Sequence, residues 1–156
     1  MALILSNFLH SLVRLIASRT ALVYWPAVLS SKRDLFLGFS DPSYENDPFS
    51  VLLGTGGFGR QWDPLPGCSV QIATTGTSVH AVLNRAQRLF ESLLDDEGHA
   101  LGMYTFSGYK QTDNTADGQW LLVGVNLLQS PGIVGVDKGG RQISTFNCDL
   151  RFDRKE

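Results

Sequence analysis

Few residue types in this chain are spaced for chemistry. Gly54-Thr55-Gly56-Gly57-Phe58-Gly59 satisfies the GxGxxG string of a dinucleotide-binding turn, and the apolar stretch from Phe49 to Leu53 precedes it. That chemistry needs the third glycine to open a helix whose amides hold a pyrophosphate. Arg60-Gln61-Trp62-Asp63-Pro64-Leu65-Pro66 follows instead, and its two prolines leave no room for that helix. The string therefore reads as a flexible glycine loop, with no cofactor expected. His10, His80 and His99 do not pair with one another or with a cysteine at ligand spacing. Zinc asks for three or four convergent ligands, so no metal is expected. Serine, histidine and aspartate all occur, but no GxSxG elbow presents a nucleophile, and no catalytic residue is assigned. Asp95-Asp96-Glu97 reads as a solvated helix end rather than a pair of catalytic acids.

The elements that would carry any site can be read from hydrophobic period. Leu5, Phe8, Leu9, Leu12, Val13 and Ile16 recur at three- and four-residue steps, which predicts an amphipathic helix over 1–18 that packs on a sheet or docks into a neighbouring subunit. A signal peptide would want a basic start, and a membrane span about 20 unbroken apolar residues; Asn7, His10 and Arg14 interrupt this stretch. Ala21 to Tyr24 and Asp34 to Phe39 read as short extended segments. Residues 41–66, punctuated by Pro42, Pro48, Pro64, Pro66 and the glycines, read as one long irregular loop.

A strand is expected from Val70 to Thr74, then a helix over 78–95 capped by Ser78, whose Val82, Leu83, Ala86, Leu89, Phe90 and Leu93 keep a helical period. Met103 to Tyr109 reads as a strand, Lys110 to Gly118 as an exposed polar loop, and 119–152 as the closing strands. Within these, Pro131 to Val136 and Arg141 to Phe152 form a hairpin around Asp137-Lys138-Gly139-Gly140. Phe146, Cys148, Leu150 and Phe152 alternate with polar residues as a half-buried strand would, and Ile143, out of phase, predicts a bulge near Ser144 or Thr145. The expected fold is thus α+β: one domain with a mostly antiparallel sheet of short strands and two helices packed on it.

Composition narrows the function classes. A chain of 156 residues fits one domain with a core large enough to need no staples. Charged residues make up 18%, against about 25% in ordinary domains, so less of the surface is strongly hydrated and more suits partner contact. Thirteen Lys and Arg against fifteen Asp and Glu give a net charge of −2, without the basic excess that phosphate binding demands. Cys68 and Cys148 lack CxxC spacing and read as buried thiols in a reducing compartment. Trp25, Trp62 and Trp120 lie far apart in sequence and suit core or interface packing rather than a stacking platform.

The order of elements, with the strand Gly67-Cys68-Ser69-Val70-Gln71-Ile72-Ala73-Thr74-Thr75-Gly76, the helix from Ala81 to Leu94, and the close from Ser130-Pro131-Gly132 through Asp137-Lys138-Gly139 to Phe146-Asn147-Cys148-Asp149-Leu150, resembles the tail terminator proteins of long-tailed bacteriophages, also described as tail completion or minor capsid proteins. The resemblance covers roughly residues 1–152; the stretch from Asp41 to Pro66 is longer than in that family. It implies a small α/β domain that assembles as a homo-oligomeric ring, commonly a hexamer, on the last ring of the tail tube. There it halts tube growth and offers a surface to the head-side connector, or stopper, protein. It also implies a virion location at the head–tail junction after assembly in the host cytoplasm, with DNA only passing through the lumen and no membrane partner.

In such a ring, contacts are expected from Gly54, Gly56, Phe58, Arg60 and Trp62 on the glycine loop, from Lys110, Asp113 and Asp117 on the polar loop, and from Asp137 and Lys138 on the turn. Other readings of the same residues are a different head–tail joining or minor capsid adaptor, and a small cytosolic enzyme or ligand-binding domain.

Overall fold

The computed structural model describes residues 5–25, 32–58 and 67–155, with the backbone alone at 56–58. Helix α1, Leu5–Thr20, buries Phe8, Leu9, Leu12, Val13 and Ile16 along the stripe that the sequence predicts, while Leu5 stays exposed in its first turn. The helix runs two residues past the expected end. There the Thr20 hydroxyl donates to the Ile16 carbonyl at 2.7 Å, and Ala21 takes a positive φ of 58° that turns the Leu22 N–H back to the Ala17 carbonyl. Helix α2, Val79–Glu91, starts as expected, with the Ser78 hydroxyl accepting the Ala81 N–H at 3.3 Å. It stops short of residue 95, because the Leu93 and Leu94 N–H groups bond three residues back and Leu94 then bridges to Ala100.

Seven strands make the sheet: β1 Arg33–Leu37, β2 Glu45–Phe58, β3 Gly67–Gly76, β4 Gly102–Tyr109, β5 Ala116–Leu127, β6 Gly132–Val136 and β7 Gln142–Lys155. Their order is β1-β2-β3-β7-β5-β4, with β6 also paired to β7. Every pairing is antiparallel except β1 with β2. β7 is the spine: β3 runs along one side, and β5 and then β6 follow one another along the other.

Both helices lie on one face. Trp120, Leu122, Phe146, Cys148, Leu150 and Phe152 point to that face and merge with the α1 stripe and Leu89 into a single core. Phe8 stacks on Phe152 at 3.8 Å and meets Trp120 edge-on at 5.4 Å. Because α1 touches both β1 and β4, near the two margins of the sheet, the sheet curls around it. No helix among the described residues is long and apolar enough to cross a membrane.

Four expectations need correction. Residues 45–58, expected inside a loop, form the long strand β2, paired with β3 from Phe49↔Thr75 to Phe58↔Gly67. The glycines weaken the strand locally, but the ladder to β3 holds them, and Pro48 falls where the β1–β2 register shifts, a place that needs no N–H. The polar loop is shorter than 110–118, since β5 begins at Ala116. The closing strands likewise extend beyond 119–152, to Ala116 and Lys155.

The bulge is on β6 rather than β7. Ile133 pairs with Ser144 and Gly135 with Ile143, so Val134 is the extra residue. β7 alternates without a break: Ser144 takes the buried phase and Ile143 the other face.

Candidate functional site

The residues expected to make contacts fall on three separate stretches, and among the described residues no hydrogen bond or ion pair links one stretch to another. On β2, a Cβ at Gly54 would come within 3.1 Å of Leu9 Cδ1, so this glycine serves the close approach of α1. Gly56 and Phe58 pair with Ser69 and Gly67 across the hairpin. Arg60 and Trp62 lie outside the described residues.

At the β6–β7 turn, Asp137 is engaged locally. Its Oδ1 accepts the Gly139 and Arg141 N–H groups at 2.9 and 2.8 Å, and its Oδ2 accepts Arg141 Nε at 2.8 Å. The Arg141 backbone N–H leads the causes that hold this carboxyl below its ordinary range. Arg141 also reaches Glu45 at 3.1 Å, so the turn is tied to the start of β2. Lys138 stands exposed beside it.

The β4–β5 connection is the most elaborated of the three. Asp113 Oδ1 accepts the Thr115 hydroxyl at 2.7 Å and its N–H at 3.1 Å, and the hydroxyl is the chief reason this carboxyl is held low. Asp117 pairs with Arg154 at 2.9 Å, while Lys110 is exposed. The polar side of α1 holds this connection from beneath. Asn7 Oδ1 accepts the Gln111 N–H at 2.9 Å, and the Ser11 hydroxyl accepts the Tyr109 N–H at 2.8 Å. His10, fully buried, lies 2.8 Å from Tyr24 Oη through Nδ1 and 2.8 Å from Asn114 Oδ1 through Nε2.

The proton on His10 can be placed. Arg14 Nη1 lies 2.8 Å from the same Asn114 oxygen and can only donate. That atom is therefore an acceptor, Nε2 of His10 donates to it, and Nδ1 accepts from the Tyr24 hydroxyl. Burial, above all, pushes the His10 pKa below its ordinary value; Arg14 adds to this, while the Asn114 hydrogen bond opposes it. Burial raises the Tyr24 pKa. Both remain neutral near pH 7 and act as a clasp. The sequence reading weighed His10 as a metal ligand and set that aside, and otherwise took His10 and Arg14 as interruptions of an apolar run; their placement with Asn7 and Ser11 at helical steps was the available signal.

Both cysteines are free and buried, with their thiols pushed up to about 12 chiefly by burial. Trp120 is core, and Trp25 is 39% exposed.

The face of the sheet turned away from the helices carries mixed side chains, among them Leu53, Gln71, Thr75, Asn147 and a Ser69–Asp149 hydrogen bond of 2.6 Å. Among the described residues β6 pairs with β7 alone, and Ile133, Val134 and Val136 are exposed along it. Exposed apolar edge strands are templates for further pairing. No protein-family model and no curated protein matches the chain.

Proposed function

We propose that the chain is a ring-forming structural protein of a phage tail: a terminator that sits on the end of the tail tube, stops its growth and presents a docking surface to the head-side connector. One observation carries this reading. Among the described residues both helices occupy one face of the sheet, no element covers the opposite face, and an apolar edge, Ile133, Val134 and Val136, is unpaired. A subunit of a closed ring needs two different flanks for its neighbours and further surfaces for the rings above and below.

On this reading, termination is competition for a growing end. One face complements the tube ring, and the opposite face cannot accept the next tube subunit. Lys110 and Lys138 sit on connections available for such contacts, whereas Asp113, Asp117 and Asp137 shape those connections from within. DNA passes through the lumen, which therefore holds few side chains able to grip phosphate.

The test mixes purified protein with tail-tube polymers and images them by negative stain. Rings capping one end of each tube and arresting elongation are the expected result, together with tubes of uncontrolled length and unjoined heads in particles lacking the protein. Tubes that bind no rings, or normal virions formed without the protein, would overturn the reading.

A further inference from the structure

Beside β1 lies a cleft of about 310 Å³ lined by Tyr24, Trp25, Arg33, Phe36, Phe39 and Tyr44. Its volume is at the bottom of the range of about 300–1,000 Å³ for ligand pockets, which suits inserted side chains better than a cofactor. Arg33 is its cation. The guanidinium carbon stands 6.0 Å from the Tyr44 ring centre, Nε is buried without a hydrogen-bond partner, and no carboxylate among the described residues pairs with it. Asp41, on the same wall, accepts the Ser43 N–H at 3.0 Å. Phe39 is 78% exposed and Trp25 39% exposed at the rim. An arginine beside two exposed aromatic side chains, with Tyr24 and Phe36 buried behind them, has the anatomy of an interface hot spot.

The complementary charge is on the chain itself. Asp34, Glu45, Asp47, Asp113, Asp117 and Asp137 are all held by hydrogen bonds or ion pairs within the fold. Asp96, in the turn after α2, makes none among the described residues, and the Glu97 side chain, 82% exposed, faces His99 at 3.8 Å. We propose that the Arg33 cleft receives the Asp96–Glu97 turn of a second copy of this chain, with carboxylate meeting guanidinium and the aromatic rim closing over the contact. Cleft and turn are different surfaces, so each copy offers both and the contact repeats head to tail, as a ring requires. This inference rests on the ring reading and supplies its flank-to-flank contact.

Charge exchange tests it, with mass photometry and sedimentation velocity on the full chain, alone and with tube polymers. Wild type is expected to associate. Arg33→Glu and the double variant Asp96→Lys/Glu97→Lys are each expected to associate at least about tenfold more weakly while melting as wild type does. An equal mixture of the two variants restores association, because each cleft then meets a turn of opposite charge; a folding defect would not be rescued this way. Association that ignores the variants, or variants that the mixture does not rescue, overturns the contact and leaves the ring reading standing. A wild-type chain that stays monomeric both alone and on tubes overturns both. Rescued association without tube binding supports the contact and removes only the tail assignment.

Discussion

The two hairpin connections served by β5 and β6, the strands that share one side of β7, are held by opposite means. The β4–β5 connection is fastened from beneath by α1, through a buried histidine whose partners are neutral. The β6–β7 turn is fastened at the surface by Asp137 and Arg141, charged groups open to water. The same task, fixing a polar loop, thus falls to desolvated hydrogen bonds in one place and to solvated ion pairs in the other. The buried clasp is expensive to break because water cannot replace a lost partner; the exposed one is cheap because water can.

The largest effect separating the two regions is expected from His10→Ala. It opens a void beside Tyr24 and leaves the Tyr24 hydroxyl without its buried acceptor, for a loss of about 2–4 kcal/mol in urea unfolding. A loss under about 1 kcal/mol would show that water enters and substitutes, and the contrast between the two regions would disappear.

Acid should separate them next. The folded-state pKa of His10 lies below the ordinary 6.5, because burial penalises imidazolium. On acidification the unfolded chain takes up the proton first. The contribution of His10 is therefore whole above about pH 6.5 and is lost as pH falls from there toward the lower folded value. Asp137 is shifted in the same sense but acts in a different window. Its carboxyl is held below 3.8, so its contribution is present above that value and is lost only in stronger acid. Urea midpoints of wild type and His10→Gln, followed from about pH 8 to about pH 5, should diverge above pH 6.5 and converge below it. Parallel curves would mean that His10 does not titrate between the two states.

How much of this was legible in advance depends on the range of each interaction. The β7 alternation and the α2 stripe are local patterns, and the burial of Phe146, Cys148, Leu150 and Leu89 follows from period alone. The Ser78 cap is likewise a matter of adjacent residues. β2 was hidden because its evident residue types, Pro48 and the glycines from 54 onward, oppose strand formation locally; only the 10-residue β3 beside it decides the matter. The His10 clasp was hidden more deeply. Its two partners are 14 and 104 residues away, and no spacing rule reaches the second. The Arg33 cleft shares that fate, since Tyr24 and Tyr44 approach it from opposite sides in sequence.

The smallest effect is expected from Arg141→Ala. The side chain is 38% exposed and its partners are Asp137 and Glu45, so the loss should be no more than about 1 kcal/mol. Salt makes the comparison sharper than either substitution alone. At about 1 M salt the screening length falls to about 3 Å, so the difference between wild type and Arg141→Ala should shrink toward zero. The His10→Ala difference involves neutral groups removed from water and should stay unchanged in the same titration. If salt erodes both alike, Arg14 beside Asn114 rather than the neutral histidine holds the first connection, and the distinction between a dry clasp and a wet one fails at its root.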